Sequence, residues 1–177
     1  MDQETLANSL IHAATEVFGT MLGHEIAPGK AYVEHGSPTM SERVVALIGL
    51  AGQWVGAGML SCSPQFACKI ASALLVADCA AVTEDVLDVM AEMSNMIYGG
   101  VKTDLEEQLG PLHLSIPTVI FGRNFATKSV GPQSWTVVRI MADNGEMDLK
   151  ICLARTSDLQ IHPRAQLRPF ALQQELT

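Results

Sequence analysis

The 177-residue sequence predicts an α+β domain, with a mostly antiparallel sheet of about six strands and two long helices on one face. Three observations point there. Segments 5–22 and 84–108 carry apolar residues at spacings of three and four, the period of a helix with one buried face. Much of the remainder is short β-branched runs separated by Gly, Pro, Asn and Asp. A weak internal repeat ties the two together. Helix 5–22 leads to Leu22-Gly23, Pro28 and three strands, and helix 84–108 leads to Leu109-Gly110, Pro117 and three strands. Two copies of helix–strand–strand–strand make one sheet with a pseudo-two-fold axis.

The elements follow in order. Leu6, Leu10, Ala13, Ala14, Val17 and Met21 line one side of the first helix, and Gly23 suits its C-cap. A short strand is expected at 31–35, after Pro28-Gly29. Segments 42–50 and 53–62 read as a hairpin turning at Ala51-Gly52. Ser63-Pro64 opens a helix to about Ala77, with proline at the first helical position. A linker, 78–83, precedes the long helix 84–108, which stops at Gly110-Pro111. Strands are expected at 113–122, 134–142 and 147–154, the last two joined by Asp143-Asn144-Gly145-Glu146. The stretch 156–177 is polar, holds Pro163 and Pro169, and reads as a C-terminal tail.

Composition excludes several functions. Hydrophobic residues make up 48% and charged residues 17%, enough apolar material for a packed core. A net charge of −8 without a Lys/Arg cluster argues against nucleic acid and against an anionic membrane surface. Neither a signal peptide nor a membrane span is expected, since no apolar run approaches about 18–20 residues. Cys62, Cys68, Cys79 and Cys152 form no CxxC pair and read as reduced core thiols of a cytoplasmic protein. His12, His24, His35, His113 and His162 are dispersed, no serine sits in a G-x-S-x-G turn, and the glycines of 49–58 lack the G-x-x-x-x-G-K phosphate loop.

Helix 84–108 carries the chemistry worth weighing. At 100° per residue, Val86, Met90, Met93, Ile97, Val101 and Leu105 form its buried stripe. Glu92 and Asn95, three apart, are neighbours on the exposed side. Gly99 and Gly100 follow, and a mid-helix glycine costs about 1 kcal/mol relative to alanine, so two in a row call for a close approach. An acid and an amide three apart more often just meet water, and the glycines serve equally well for packing against the protein's own sheet. Lys102, two turns on, suits steering of an acidic partner, or plain solvation.

The surrounding sequence shifts that weighing. MAEMSNMIYGGVKTDLEEQL, with SIPTVIFGRN and VVALIGLAGQWVGAGMLS, resembles the CheX branch of the CheC/CheX/FliY phosphatase family. The resemblance runs from residue 6 to about 155, includes FACKIASALL after Ser63-Pro64, and centres on E-x-x-N at Glu92 and Asn95. It implies a CheC-like fold for a phosphatase domain at 1–155. It also implies hydrolysis of the aspartyl phosphate on a CheY-type response-regulator receiver. Asn95 would orient the attacking water and Glu92 would pair with the receiver's active-site lysine. Tyr98, Gly99, Gly100 and Lys102 would form the docking face. Mg²⁺ would belong to the receiver, with no cofactor or metal bound by this chain, and the chain would be a cytoplasmic homodimer joined through sheet edges.

Two departures stand out. The second acid-x-x-Asn common on the first helix is missing, because Glu16 is followed by Gly19 and Glu4 by Ala7. Tyr98 stands where a small residue is expected. The alternatives on the same scaffold are a non-catalytic receiver-binding module and a structural relative of the flagellar switch, which would need no E-x-x-N.

Overall fold

The computed structural model describes residues 1–35, 39–40, 42–122, 125–126, 134–142 and 145–158. Helix α1 (Gln3–Val17) opens on Asp2, whose carboxylate accepts from Thr5 N–H at 2.7 Å, and runs into a π-helical turn at Phe18–Leu22. Strands β1 (Ala27–Pro28), β2 (Tyr32–His35) and β3 (Thr39–Met40) follow, then the long hairpin β4 (Arg43–Gly52) and β5 (Trp54–Cys62). Helix α2 (Pro64–Leu75) is capped by the Ser63 hydroxyl. Helix α3 (Glu84–Leu109) leads to β6 (Leu112–Leu114), β7 (Thr118–Gly122), β8 (Phe125–Ala126), β9 (Ser134–Ala142) and β10 (Gly145–Arg155).

The main sheet runs β1-β9-β10-β5-β4-β6, with β2 also on β9 and β7 also on β4, every pairing antiparallel. Each edge is therefore one interrupted strand, β1/β2 on one side and β6/β7 on the other, which gives the six strand positions expected. The order reads the same from both edges, as the repeat requires. The edge strand of each repeat lies on the other repeat's hairpin, so the halves interlock.

The interruption in β6/β7 was not expected, since 113–122 reads as one strand. Pro117 has no N–H to give, and Gly49 instead bonds Ser115, donating its N–H to Oγ at 2.8 Å and accepting from the backbone N–H at 2.9 Å. The hairpin expected to turn at Ala51-Gly52 turns one residue later, at Gln53. The Asp143-Asn144 turn and the tail from 159 on lie outside the described residues.

All three helices cover one face of the sheet. Alternate residues Val44, Ala46, Ile48 and Leu50 of β4 meet Leu10, Ala14, Met90, Met93, Ile97 and Val101 in one core. The opposite face holds Val45, Met59, Val137 and Cys152, with Lys150 paired to Glu34 and Asp148 held by Arg139 at 2.7 Å. All four cysteines are free, and burial pushes the Cys62 thiol up to about 12. Among the described residues no helix is long and apolar enough to cross a membrane.

Candidate functional site

The site is built on α3. Glu84 and Asp85 in its first turn complement the helix dipole. At the other end Gly110, at φ 74°, ends the helix, and Glu106 accepts from Leu112 N–H at 2.9 Å. The predicted stripe Val86, Met90, Met93, Ile97, Val101 and Leu105 is buried, with no residue above 1% exposure. That burial fixes which side faces solvent.

On the solvent side Asp88, Glu92 and Asn95 are exposed and Gly99 continues the line one turn on. Among the described residues the side chains of Glu92 and Asn95 make no hydrogen bond and no ion pair within the chain. Nothing among the described residues consumes the carboxylate or the amide. A Cβ built on Gly99 meets nothing within 4 Å, so the backbone there lies open. An acid, an amide and a bare helix turn thus form a convex strip. The 710 Å³ cleft beside α2, lined by Cys68, Lys69, Ser72 and Cys79 among others, includes neither residue. Small substrates are held in concave pockets; a convex strip acts on something that brings its own pocket, namely another macromolecule.

Two members of the predicted docking face belong elsewhere. Tyr98 is fully buried, with its hydroxyl 2.7 Å from both Met59 O and Lys150 O, and no partner can touch it. The helical period puts it only about 60° from Asn95, but on the side that packs down on the sheet. Gly100 faces α1, where a Cβ would come 2.9 Å from the Ala13 Cβ. Its bareness serves the helix crossing. Lys102 is half-buried and paired with Glu106 at 2.9 Å, an i,i+4 pair on the helix surface. Glu92 and Asn95 remain exposed, with half-buried Gly99 continuing their line and Lys102 beyond it engaged by Glu106.

The first helix repays the same reading. Matching the helix-ending pairs Leu22-Gly23 and Leu109-Gly110, and with them the buried faces, sets Gly100 on Ala13. Those two residues meet at the crossing, as a two-fold axis requires. The same offset sets Glu92 on Thr5, Asn95 on Asn8 and Gly99 on His12. So the triplet to inspect on α1 is Thr5-x-x-Asn8, which neither the Glu4 nor the Glu16 comparison finds. It keeps the amide, lacks the acid, and has an imidazole where α3 is bare. His12 is tied to Asp104 at 3.0 Å, and that hydrogen bond with the carboxylate charge raises its pKa above the ordinary 6.5. One complete strip is present, and it is on α3.

Residues 44–139 match the family model described as chemotaxis phosphatase CheX. The chain is 30% identical over 128 residues to the CheY-P phosphatase CheX of Thermotoga maritima, covering 71% of this chain and 81% of that protein. The solved CheX of Desulfovibrio desulfuricans is similar with a TM-score of 0.75 at 26% identity, over 84% of this chain and 99% of that one. A CheX–CheY–BeF3–Mg²⁺ complex from Borrelia burgdorferi shares the fold, with a TM-score of 0.68 at 22% identity, over 84% of this chain and 97% of that one. The interlocked helix–strand–strand–strand repeats and the E-x-x-N strip on the second long helix are thus found in a chain that belongs to the CheX chemotaxis phosphatase family.

Proposed function

We propose that this chain hydrolyses the aspartyl phosphate of a CheY-type receiver domain, with Asn95 placing the attacking water and Glu92 anchoring the receiver. The observation that carries the proposal is the exposed pair itself: an acid and an amide side by side on a rigid helix, free of internal partners among the described residues. The T. maritima relative supports the activity by its name, CheY-P phosphatase CheX.

The chemistry needs little more from the protein. In hydrolysis the water oxygen forms a bond to phosphorus in line with the breaking P–O bond. The aspartate leaves as a carboxylate, and the water's protons end on the released phosphate and solvent. Catalysis of such a step rests on positioning and charge. The Asn95 carboxamide accepts from the water and donates to its surroundings, and it holds the molecule without competing as a nucleophile. The Glu92 carboxylate offers a lysine on the receiver a charge-assisted contact. Bare Gly99 lets the receiver's backbone come close. The Mg²⁺ would be held by the receiver and would supply charge neutralisation at the phosphoryl group; its presence in the CheX–CheY complex supports that placement.

A homodimer through sheet edges is part of the proposal. The interrupted strands β1/β2 and β6/β7 leave edges to cover, and Tyr32 and Val33 are 44% and 40% exposed there. Light scattering after gel filtration tests it: a monomer at micromolar concentration refutes it. A cytoplasmic location, where free thiols persist, completes the picture.

The activity is tested with a CheY-type receiver phosphorylated by acetyl phosphate in Mg²⁺. Wild-type protein at catalytic amounts shortens the lifetime of the phosphoryl group. Stoichiometric binding with an unchanged lifetime makes the chain a sequestering module instead.

A further inference from the structure

We infer that Tyr98 is a positioning residue for the phosphatase strip: its hydroxyl, set into the seam between the two central strands, fixes the rotation of α3 and so the aim of Asn95. The inference rests on the proposed phosphatase reading.

Tyr98 follows Asn95 by three residues on the same helix, and its ring points into the sheet. It passes over Gly58 in the middle of β5, where an added Cβ would stand 2.4 Å from Cε1 and 2.5 Å from Cδ1. Gly58 therefore makes the entry, the role a mid-strand glycine plays where another group must come close. Beyond it the hydroxyl sits 2.7 Å from the carbonyls of Met59 and Lys150, which face each other across β5 and β10. The hydroxyl has one proton for two acceptors, and shares it between the strands. Among the described residues α3 also holds the sheet by Glu106, which accepts from Leu112 N–H at 2.9 Å about three turns beyond Asn95, while Met90, Met93, Ile97 and Val101 pack on it as apolar, non-directional contacts. The Tyr98 contact has direction and length.

Asn95 needs such a reference. A side-chain tip lies about 6 Å from a helix axis, so rotating α3 by about 10° moves it by about 1 Å. A misplacement of that size at a reacting centre costs up to about 10²-fold in rate. Glu92 docks through a long side chain that adjusts, so looser aim lowers turnover more than binding.

The experiment measures single-turnover dephosphorylation of an acetyl-phosphate-treated CheY-type receiver in Mg²⁺, over a range of chain concentrations. It yields a maximal rate and a half-saturation concentration, and calorimetry of each variant monitors folding. Tyr98→Phe keeps the ring and removes the hydroxyl. The expected result is a maximal rate about three- to tenfold lower with half-saturation within about twofold of wild type. Gly58→Ala displaces the same hydroxyl without altering Tyr98, and its loss does not add to that of Tyr98→Phe in the double variant. A folded Tyr98→Phe variant with the wild-type maximal rate overturns the inference, whatever its melting temperature, and leaves the phosphatase reading standing. A wild type that binds without accelerating dephosphorylation overturns both, and this shows before any variant is made.

Discussion

Replacing Gly99 with alanine should make the protein more stable and less active. Gly99 lies within α3, a Cβ there meets nothing within 4 Å, and the position has no positive φ. Alanine at an unobstructed helix interior gains about 0.5–1 kcal/mol over glycine, partly by restricting the unfolded chain. For a domain of this size that is a rise of about 1–4 °C in Tm. The same methyl projects from the strip that carries Glu92 and Asn95. If the receiver packs closely there, one methylene too many costs about 1 kcal/mol or more, roughly a fivefold or greater rise in half-saturation concentration. Gly100→Ala is the control. Its Cβ would come 2.9 Å from the Ala13 Cβ, so the helix pair must part, and overpacking of about 1–3 kcal/mol offsets or exceeds the propensity gain. Calorimetry and the dephosphorylation assay on both variants decide the matter. A Gly99→Ala protein that is more stable and docks as tightly as wild type would refute the close approach at Gly99.

Two further predictions concern neighbouring groups. Glu92→Gln keeps the shape and removes the charge, so half-saturation should rise about tenfold while the maximal rate holds within about threefold; a variant losing only rate would mean that Glu92 takes part in the chemical step. His12 has a folded-state pKa raised by Asp104, so its contribution to stability is full below the unfolded value of about 6.5 and is lost as pH rises through the higher folded value. Melting curves from pH 6 upward should therefore show His12→Gln losing part of the wild type's decline across that window, and identical slopes would dismiss the pairing.

Much of α3 was legible because burial follows period. Its stripe of Val86, Met90, Met93, Ile97, Val101 and Leu105 came from spacing alone, and once that stripe is placed Glu92 and Asn95 must face water. Tyr98 was misread because an amphipathic aromatic at the border of a stripe suits either side. The signal that separates them is elsewhere in the chain, in Gly58, a glycine in the middle of β5 whose bare backbone admits the ring. The helical period sets Gly99 on the line of Asn95 and Gly100 on that of Met93, and the crossing with α1 at Ala13 shows what Gly100 is packed against. The repeat was legible from its Leu-Gly pairs, but its consequence for α1 needed the helices set against each other. The interruption at Pro117 depended on Gly49, a long-range pairing that local patterns do not contain.

The central claim is that Asn95 places the water and does not merely sit at an interface. Asn95→Ala against wild type, with maximal rate and receiver affinity measured together, tests it most directly, and Asn8→Ala serves as the control on the incomplete α1 strip. The account predicts that Asn95→Ala binds the phosphorylated receiver within about threefold of wild type and dephosphorylates it at least about 10²-fold more slowly. Asn8→Ala stays within about twofold of wild type in both quantities. An Asn95→Ala protein that is folded, bound and as fast as wild type would contradict the account.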